Sequence, residues 1–248
     1  KVNTLMVPVI AAIWWLFVNK KRFILLYFIA APAAAFLLWS VFWQSPVERL
    51  QYMFRFFLDN TQNLEVLYFG KVFRSAINVP WHYPFGYLAV TTPLPILIFF
   101  LLGLISLIRR IRPIGLLLLL WFFLPLTRYL NPKIGVIDGI RHFEEVLYPL
   151  AAIAAIGFIQ IAKKIRPVFA IILFTFIIYH LSFIIYSYHP FQISYFNELV
   201  GGIRGAQGKF DVEYWGTSQK AAIRWLNTNA RPDSFVHIVM AGDVAAKY

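Results

Sequence analysis

The most polar stretch inside the hydrophobic part of this chain reads DGIRHFEEVLYPL, from Asp138 to Leu150, and it runs into an apolar segment. Three acids, one arginine and one histidine within eight residues are costly in lipid, so we expect them at a water-facing membrane edge. The planar, permanently charged guanidinium of Arg141 suits a phosphate, which it can bind through two parallel hydrogen bonds. The alternative is a solvated connection whose charges only mark the membrane boundary.

Composition indicates an α-helical membrane protein. Of the 248 residues, 60% are hydrophobic, 19% are aromatic and only 14% are charged, whereas soluble domains are about half apolar and about a quarter charged. The absence of cysteine excludes disulfides and thiolate chemistry. The sequence begins without Met, an apolar segment is under way by Leu5, and residues 235–248 resemble the beginning of a domain. We therefore expect it to be a piece of a longer protein.

The net charge of +12 is placed as in a membrane protein and not as in a nucleic-acid groove. Nine of the 23 basic residues lie in three clusters without acids, each between two apolar runs. The clusters are Lys20-Lys21-Arg22, Arg109-Arg110 with Arg112, and Lys163-Lys164 with Arg166. Such clusters are typical of short cytoplasmic loops, so we expect no nucleic-acid partner.

Six apolar runs approach the roughly 17–25 residues that a helix needs to cross a bilayer. They are 5–18, 23–43, 94–108, 114–130, 146–161 and 167–188. The basic clusters follow the first, third and fifth runs, so every second connection is predicted to be cytoplasmic. This topology predicts a multi-pass plasma-membrane protein, with outer loops 44–92 and 127–145 and an outer tail.

The predicted outer segments also carry structure. Apolar residues from Val47 to Leu58 recur at helical spacing, which predicts an amphipathic helix on the outer membrane surface. After residue 188 the composition becomes polar and rich in glycine, so 189–248 is predicted to be an incomplete extracytoplasmic soluble domain. Within it we expect a helix from Thr217 or Ser218 to about Asn227 and a strand at 235–240.

Several stretches, spread over about two thirds of the chain, together carry a resemblance to a known family. They are PWHYP at 80–84, TTPLP at 91–95, the 138–150 stretch, HPFQISYFNELVGG at 189–202, DVEYWG at 211–216 and AIRWLN at 222–227. Together they resemble the C-terminal half of a bacterial or archaeal membrane glycosyltransferase of family 39. These enzymes are relatives of the dolichyl-phosphate-mannose protein mannosyltransferases, in the GT-C superfamily.

The resemblance implies a GT-C-like helix bundle followed by the start of a small outer α/β domain. It also implies an enzyme that moves a sugar from a polyprenyl-phosphate carrier to an extracytoplasmic protein, lipid or glycan. The catalytic carboxylates of the family lie in an N-terminal outer loop that nothing here matches, so we assign no catalytic residue. Arg141 matches a basic residue near the lipid phosphate, and His142 replaces an aromatic seen in some branches.

Sugar transfer from a lipid phosphate needs a base for the acceptor hydroxyl and cations for the departing phosphate. The candidate phosphate ligands are Arg141, His142 and Lys133, with Arg128 and Arg74 as helpers. The candidates for orienting the arginine or for contacting sugar or acceptor are Asp138, Glu144, Glu145, His82 and Tyr83. The sequence indicates no cofactor and no metal-ligand set, although a divalent ion is compatible with this chemistry. The expected partners are the lipid-linked sugar donor, membrane lipids and the acceptor.

Two other classes stay open at this point. A transporter or flippase of lipid-linked saccharides would share the basic outer loop, but transporters usually carry ionisable groups inside their spans. Here the centres of the apolar runs contain no Asp, Glu, Lys or Arg, and the only histidine well inside one is His180, which we interpret as a helix-packing residue. A non-catalytic membrane subunit whose outer domain binds a partner is the second alternative.

Overall fold

The computed structural model describes residues 6–18, 24–58, 63–231, 233–238 and 242. This part of the chain is mostly helical, with one two-stranded antiparallel sheet. The α-helices are α1 (Met6–Phe17), α2 (Ile24–Leu38), α3 (Val41–Gln44), α4 (Pro46–Leu58), α5 (Tyr83–Thr91), α6 (Leu94–Arg109), α7 (Pro113–Thr127), α8 (Leu147–Ala162), α9 (Pro167–Ser187), α10 (Gly202–Ala206) and α11 (Gln219–Asn229). The strands are β1 (Glu65–Tyr68) and β2 (Lys71–Arg74).

Each of the six predicted apolar runs contains a helix, and three of these helices are long and apolar enough to cross a membrane. Those three are Pro113–Leu130, Arg141–Ala162 and Pro167–Ser187. The first is α7 followed by a 3-10 turn, the second is a 3-10 segment followed by α8, and the third is α9. The apolar helices Met6–Phe17, Leu26–Leu38 and Leu94–Arg109 are shorter. Only 6% of the most apolar window of α9 is buried by protein, as expected of a surface that faces lipid.

Proline sets several helix boundaries in this part of the chain. It occupies the first turn of α6, α7 and α9, where its missing N–H removes no intrahelical bond. The predicted run 23–43 does not form one helix, because α2 ends at Leu38 and α3 begins at Val41. Ser45 is non-helical before Pro46, which begins α4, since proline disfavours helical geometry in the residue before it.

The amphipathic helix predicted from Val47 to Leu58 is confirmed as α4. Its apolar side chains Val47, Leu50 and Phe54 are all exposed, and an acid lies in its first turn and a base in its last. The side chain of Phe57 lies outside the described residues. An exposed apolar face of this kind is available to a membrane surface or to another chain.

A β-hairpin in the outer loop was not predicted from the sequence. Strands β1 and β2 pair in register from Glu65 opposite Arg74 to Tyr68 opposite Lys71. Phe69 and Gly70 form the turn with φ of 48° and 76°, so both residues are in the left-handed region. Two successive left-handed residues match the twist of a tight hairpin.

The tail after α9 does not form a core of its own up to residue 210. Phe196, Ala206 and Phe210 are buried in the same core as Tyr68 and Tyr87, which belong to the hairpin and to α5. The ring centroids of Phe210 and Tyr87 are 5.5 Å apart with an edge-to-face geometry, which aromatic pairs favour. Residues of the 44–92 loop and the beginning of the tail therefore share one core.

Further along the tail, the predicted helix is confirmed as α11, which follows Ser218. The predicted strand at 235–240 is not present where it can be assessed: residues 235–238 have no regular structure, and residues 239 and 240 lie outside the described residues. Alternation over six residues is a weak signal, and no partner strand among the described residues pairs with this segment.

The tightest contact between apolar helices joins α6 to α8 through two glycines. A Cβ placed on Gly103 would overlap the backbone carbonyl oxygen of Ile153, and one placed on Gly157 would overlap that of Phe99. Small residues let two helix backbones approach closely, and van der Waals packing is the main attraction between helices in lipid. The obstacle in both cases is backbone, which cannot rotate away.

We expect Gly157→Ala to destabilise the folded protein by about 1–3 kcal/mol, because the added methyl group must push α6 and α8 apart. Gly115→Ala is the matched control, since its Cβ would meet only Cδ2 of Leu107, at 2.9 Å, and that side chain can rotate. Thermal unfolding of the two purified variants in one detergent measures the difference. Equal midpoints for both would contradict this account of the α6–α8 contact.

Candidate functional site

Four segments that are far apart in the sequence meet around one cleft, which is lined by aromatic, aliphatic and polar side chains. Its volume is about 160 Å³, well above the roughly 10–15 Å³ needed to hold one water molecule. The residues that line it are Tyr87, Thr91, Gly139, Ile140, Gln192, Ile193, Tyr195, Phe196, Asp211 and Tyr214. They come from α5, from the 138–141 turn, from the segment after α9 and from the DVEYWG stretch.

Asn197 fastens the tail to the end of α5. Its side-chain amide donates to the carbonyl oxygens of Ala89 at 2.6 Å and Thr92 at 2.7 Å, and its own N–H donates to Val90 at 2.8 Å. Ala89 needs this partner because the residue four positions on is Pro93, which has no N–H. Asn197 is fully buried, so the bonds also satisfy its own polar atoms.

Asp211 is the one carboxylate among the residues that line the cleft. Its Oδ2 accepts a hydrogen bond from the N–H of Leu67 at 3.2 Å, and its own N–H donates to the Tyr87 hydroxyl at 3.3 Å. Burial, aided by the nearby charge of Asp138, raises the pKa of the Asp211 carboxyl, although the Leu67 hydrogen bond opposes the change. A half-buried carboxylate with a raised pKa in a cleft is a candidate functional group.

Three tyrosines line the cleft together with this carboxylate. Burial raises the pKa of Tyr214 to about 12, and burial also raises the pKa values of Tyr87 and Tyr195 well above the ordinary value of a phenol. All three are therefore neutral hydrogen-bond donors at physiological pH. The Tyr195 hydroxyl is buried and has no hydrogen-bond partner among the described residues.

Arg141 lies immediately beside the cleft. It follows Ile140, which lines the cleft, and its guanidinium carbon is 4.7 Å from the ring centroid of Trp215, the neighbour of Tyr214. One guanidinium nitrogen donates to Oδ2 of Asp138 at 2.5 Å. The prediction that Asp138 orients Arg141 matches this ion pair, while binding of a phosphate stays a prediction.

The backbone before Arg141 adopts an uncommon conformation. Asp138 and Gly139 have φ of 57° and 61°, and the Arg141 N–H donates to the Asp138 carbonyl oxygen at 3.3 Å. Asp tolerates the left-handed region better than most residues, and glycine adopts it without cost. A Cβ on Gly139 would also contact the Tyr214 hydroxyl at 3.4 Å, so glycine keeps this wall of the cleft open.

The other predicted residues of the 127–145 loop lie outside the cleft lining. His142 is half-buried, and its carbonyl oxygen accepts from the Tyr129 hydroxyl at 2.7 Å. Lys133 is exposed in a turn where its N–H donates to the Asn131 side chain at 3.1 Å. Glu144 is exposed and Glu145 half-buried. None of the four is among the residues that line the cleft, and the role of each stays a prediction.

His82 and Tyr83 lie at the start of α5 with different surroundings. Nδ1 of His82 is 2.9 Å from the Tyr68 hydroxyl, so this exposed histidine is tied to the hairpin. Tyr83 is fully buried and packs against Tyr87, with ring centroids 4.5 Å apart. Burial, with Tyr87 and Asp211 nearby, raises the pKa of Tyr83 well above its ordinary value. Tyr83 thus belongs to the core that supports the cleft.

The two helper cations do not line the cleft either. Arg74 forms a loose, exposed ion pair with Glu65 at 3.9 Å across the hairpin, a kind of pair that contributes little to stability. Arg128 is half-buried beyond the end of α7, with its guanidinium carbon 6.0 Å from the Tyr129 ring centroid. Among the described residues, no group of three or more His, Asp or Glu side chains could hold a metal ion.

Sequence reasoning missed five polar residues that line the cleft, namely Asp211, Tyr214, Tyr87, Tyr195 and Gln192. Asp211 and Tyr214 lie in the DVEYWG stretch, and Gln192 and Tyr195 lie in the HPFQISYFNELVGG stretch. Both stretches carried the resemblance but received no chemical role. The signal available in the sequence was that these stretches place polar residues beside aromatic residues within a short tail.

Comparisons with protein-family models, with curated proteins and with solved structures find no match to this chain. The resemblance to family 39 therefore stays a hypothesis based on the quoted stretches.

We expect Asn197→Ala to destabilise the protein by at least about 2 kcal/mol, because it leaves the carbonyl oxygens of Ala89 and Thr92 buried without a donor. Asn229→Ala is the control, since that amide bonds only within the exposed end of α11. Denaturant or thermal unfolding measures the effect. An Asn197→Ala midpoint equal to that of the control would show that the tail docks without this residue.

The raised pKa of Asp211 predicts how stability depends on pH. The folded state holds the proton more tightly than the unfolded state, so this group favours folding below about pH 4 and disfavours it as pH rises through the folded pKa. Asp211→Asn keeps an oxygen for Leu67 and removes the charge. We therefore expect it to raise the thermal midpoint at pH 7 but not at pH 3.5. A lower midpoint at pH 7 would contradict this assignment.

Proposed function

We propose that this chain belongs to a membrane glycosyltransferase and binds the phosphate of a polyprenyl-phosphate sugar donor through Arg141. The observation that carries the proposal is the position of this guanidinium. It lies beside the cleft and at the first residue of the segment Arg141–Ala162, which is long and apolar enough to cross a membrane and is kinked at Phe143. A lipid phosphate needs a cation at this depth, with apolar surface below it and polar surface above it.

Arg141 has donors available for such a ligand. A guanidinium carries five N–H donors, and in the described structure the Arg141 side chain is 45% exposed and bonded to a single partner, Asp138. The Trp215 ring holds one face of the guanidinium by a cation–π contact. These two contacts fix the orientation of the guanidinium before a phosphate binds, which reduces the conformational entropy lost on binding.

The chemistry is a transfer of the sugar between two oxygens. The bond between the anomeric carbon and the phosphate oxygen breaks, and its electron pair leaves with the phosphate. The acceptor hydroxyl forms the new bond to the anomeric carbon and gives its proton to a base that we do not assign to a residue of this chain. Arg141 stabilises the negative charge that grows on the phosphate as it departs.

For the orientation, we propose six spans in the plasma membrane with the three basic clusters on the cytoplasmic side. The segments around the cleft connect to the first residue of α6, the last of α7, the first of α8 and the last of α9. The clusters at 109–112 and 163–166 connect to the opposite ends of these four helices. The cleft and the tail are then extracytoplasmic, as the positive-inside rule requires.

We expect Arg141→Ala to reduce sugar transfer at least about tenfold, since charge-assisted hydrogen bonds contribute roughly 1.5–3 kcal/mol. Arg141→Lys should also lose much of the activity, because a lysine cannot make the two parallel bonds. Asp138→Asn should cost less, because asparagine also tolerates the left-handed conformation at this position. The measurement is transfer from a synthetic polyprenyl-phosphate sugar by purified full-length variants of matched thermal stability.

Arg204→Ala serves as the control, because Arg204 is an exposed arginine on α10 that does not line the cleft. It should transfer at the unaltered rate. Near-normal transfer by Arg141→Ala would show that the charges of the 138–145 stretch only mark the membrane boundary.

A further inference from the structure

The cleft beside Arg141 contains polar atoms that the protein itself leaves without partners. The Tyr195 hydroxyl is buried and makes no hydrogen bond within the described residues. Buried polar atoms of this kind are rare, because an unmade bond costs the full desolvation of the group. A bound molecule that accepts or donates a hydrogen bond at this position would remove that cost.

Asp211 presents a second incomplete group. Its Oδ2 is held by the Leu67 N–H, while Oδ1 has no hydrogen-bond partner in the described part of the chain. A carboxylate fixed through one oxygen has a set direction, and the other oxygen accepts only from donors. The groups that suit it are hydroxyls or amines of a ligand in the cleft.

The charge of the cleft restricts the ligand further. Asp211 is the only charged residue among the ten that line it, so the cleft repels anions and does not suit a phosphate. The cation that suits a phosphate is Arg141, which packs on Trp215 next to Tyr214. The two positions are adjacent and have opposite charges. An uncharged polar group attached to a phosphate matches both.

The shape and the aromatic lining narrow the class of ligand. A volume of about 160 Å³ suits a single small ring. Tyr87, Tyr195, Phe196 and Tyr214 supply aromatic surface beside the carboxylate. A sugar has hydroxyls that donate to Asp211 and accept from phenols, and its C–H groups pack on aromatic rings.

We propose that this cleft is a sugar-binding site in which Asp211, Tyr195 and Tyr214 bind the hydroxyls of one pyranose ring. The proposal rests on the proposed function insofar as the ring is the sugar being transferred or the acceptor sugar that receives it. Both sources share the same chemistry. Recognition of the ring itself requires only the cleft and does not require transfer.

The test measures binding of sugars that carry no phosphate. Methyl α-D-mannopyranoside, methyl β-D-glucopyranoside and methyl β-D-galactopyranoside are titrated into the purified full-length protein in nanodiscs, with binding followed by saturation-transfer NMR. We expect at least one glycoside to bind, and Asp211→Asn to weaken it roughly tenfold or more. Tyr195→Phe should weaken it about two- to tenfold, because a neutral hydrogen bond is lost.

Tyr195→Phe is the sharper variant, because its hydroxyl has no protein partner whose loss would unfold the chain. We expect its thermal midpoint to be unchanged or higher. Matched controls are Tyr186→Phe, an exposed tyrosine on α9, and Asp233→Asn, an exposed acid of the tail that does not line the cleft. Neither should alter glycoside binding.

Binding measurements with two lipids, polyprenyl phosphate with and without a sugar, distinguish a donor sugar from an acceptor sugar. If Asp211→Asn weakens binding of the sugar-loaded polyprenyl phosphate as well as of the glycoside, the cleft holds the donor sugar. If it weakens the glycoside alone, the cleft holds a sugar acceptor. Polyprenyl phosphate without sugar should depend on Arg141 and not on Asp211.

Two results would overturn the proposal: no glycoside binds the wild-type protein, or the bound glycoside is unaffected by both Asp211→Asn and Tyr195→Phe. The first could occur while Arg141 still binds polyprenyl phosphate and transfer proceeds, so the proposed function would survive. Glycoside binding that depends on Asp211 in a protein without transfer activity would instead refute the proposed function and leave the sugar site standing.

Discussion

The part of this protein around the cleft depends on one constraint: the carbonyl groups that are buried where α5 ends need hydrogen-bond donors. Pro93 has no N–H, so the carbonyl of Ala89 loses the partner that an uninterrupted helix would supply. The amide of Asn197, 108 residues further on, takes that place. Because an unpaired buried carbonyl costs about 1–3 kcal/mol, α5 and the tail are each incomplete without the other. The cleft exists because this contact brings the tail against α5.

The contact between Asn197 and α5 also connects the cleft to the apolar helices. Docking of Asn197 places Phe196 and Phe210 against the hairpin and α5, and it brings Asp211 within hydrogen-bonding distance of Leu67. The 138–141 turn then closes the other side, with Trp215 over Arg141. A cation that belongs to a helix and a carboxylate that belongs to the tail are thereby placed next to each other. Neither segment could present both charges alone.

The sequence was sufficient to predict the features that local pattern determines. Long apolar runs, prolines at helix starts and the periodicity of α4 and α11 are visible within windows of ten to twenty residues, and the structure has helices at each. The pairing of the tail with α5 was not predictable in this way. TTPLP reveals that carbonyls near Ala89 lose their usual donors, but no local rule selects Asn197 among the polar residues that follow. The hairpin turn at Phe69–Gly70 was also missed, since a phenylalanine in the left-handed region contradicts ordinary turn preferences.

The glycine contact between α6 and α8 has a consequence for motion. Backbones that touch at Gly103 and Gly157 without intervening side chains cannot slide past one another easily, so the two helices move as one rigid body. Helix α6 continues from α5 through the short connection at residues 92 and 93, and α8 follows directly from the turn that carries Arg141. Helix α5 and the 138–141 turn, which form two walls of the cleft, therefore keep a fixed spacing.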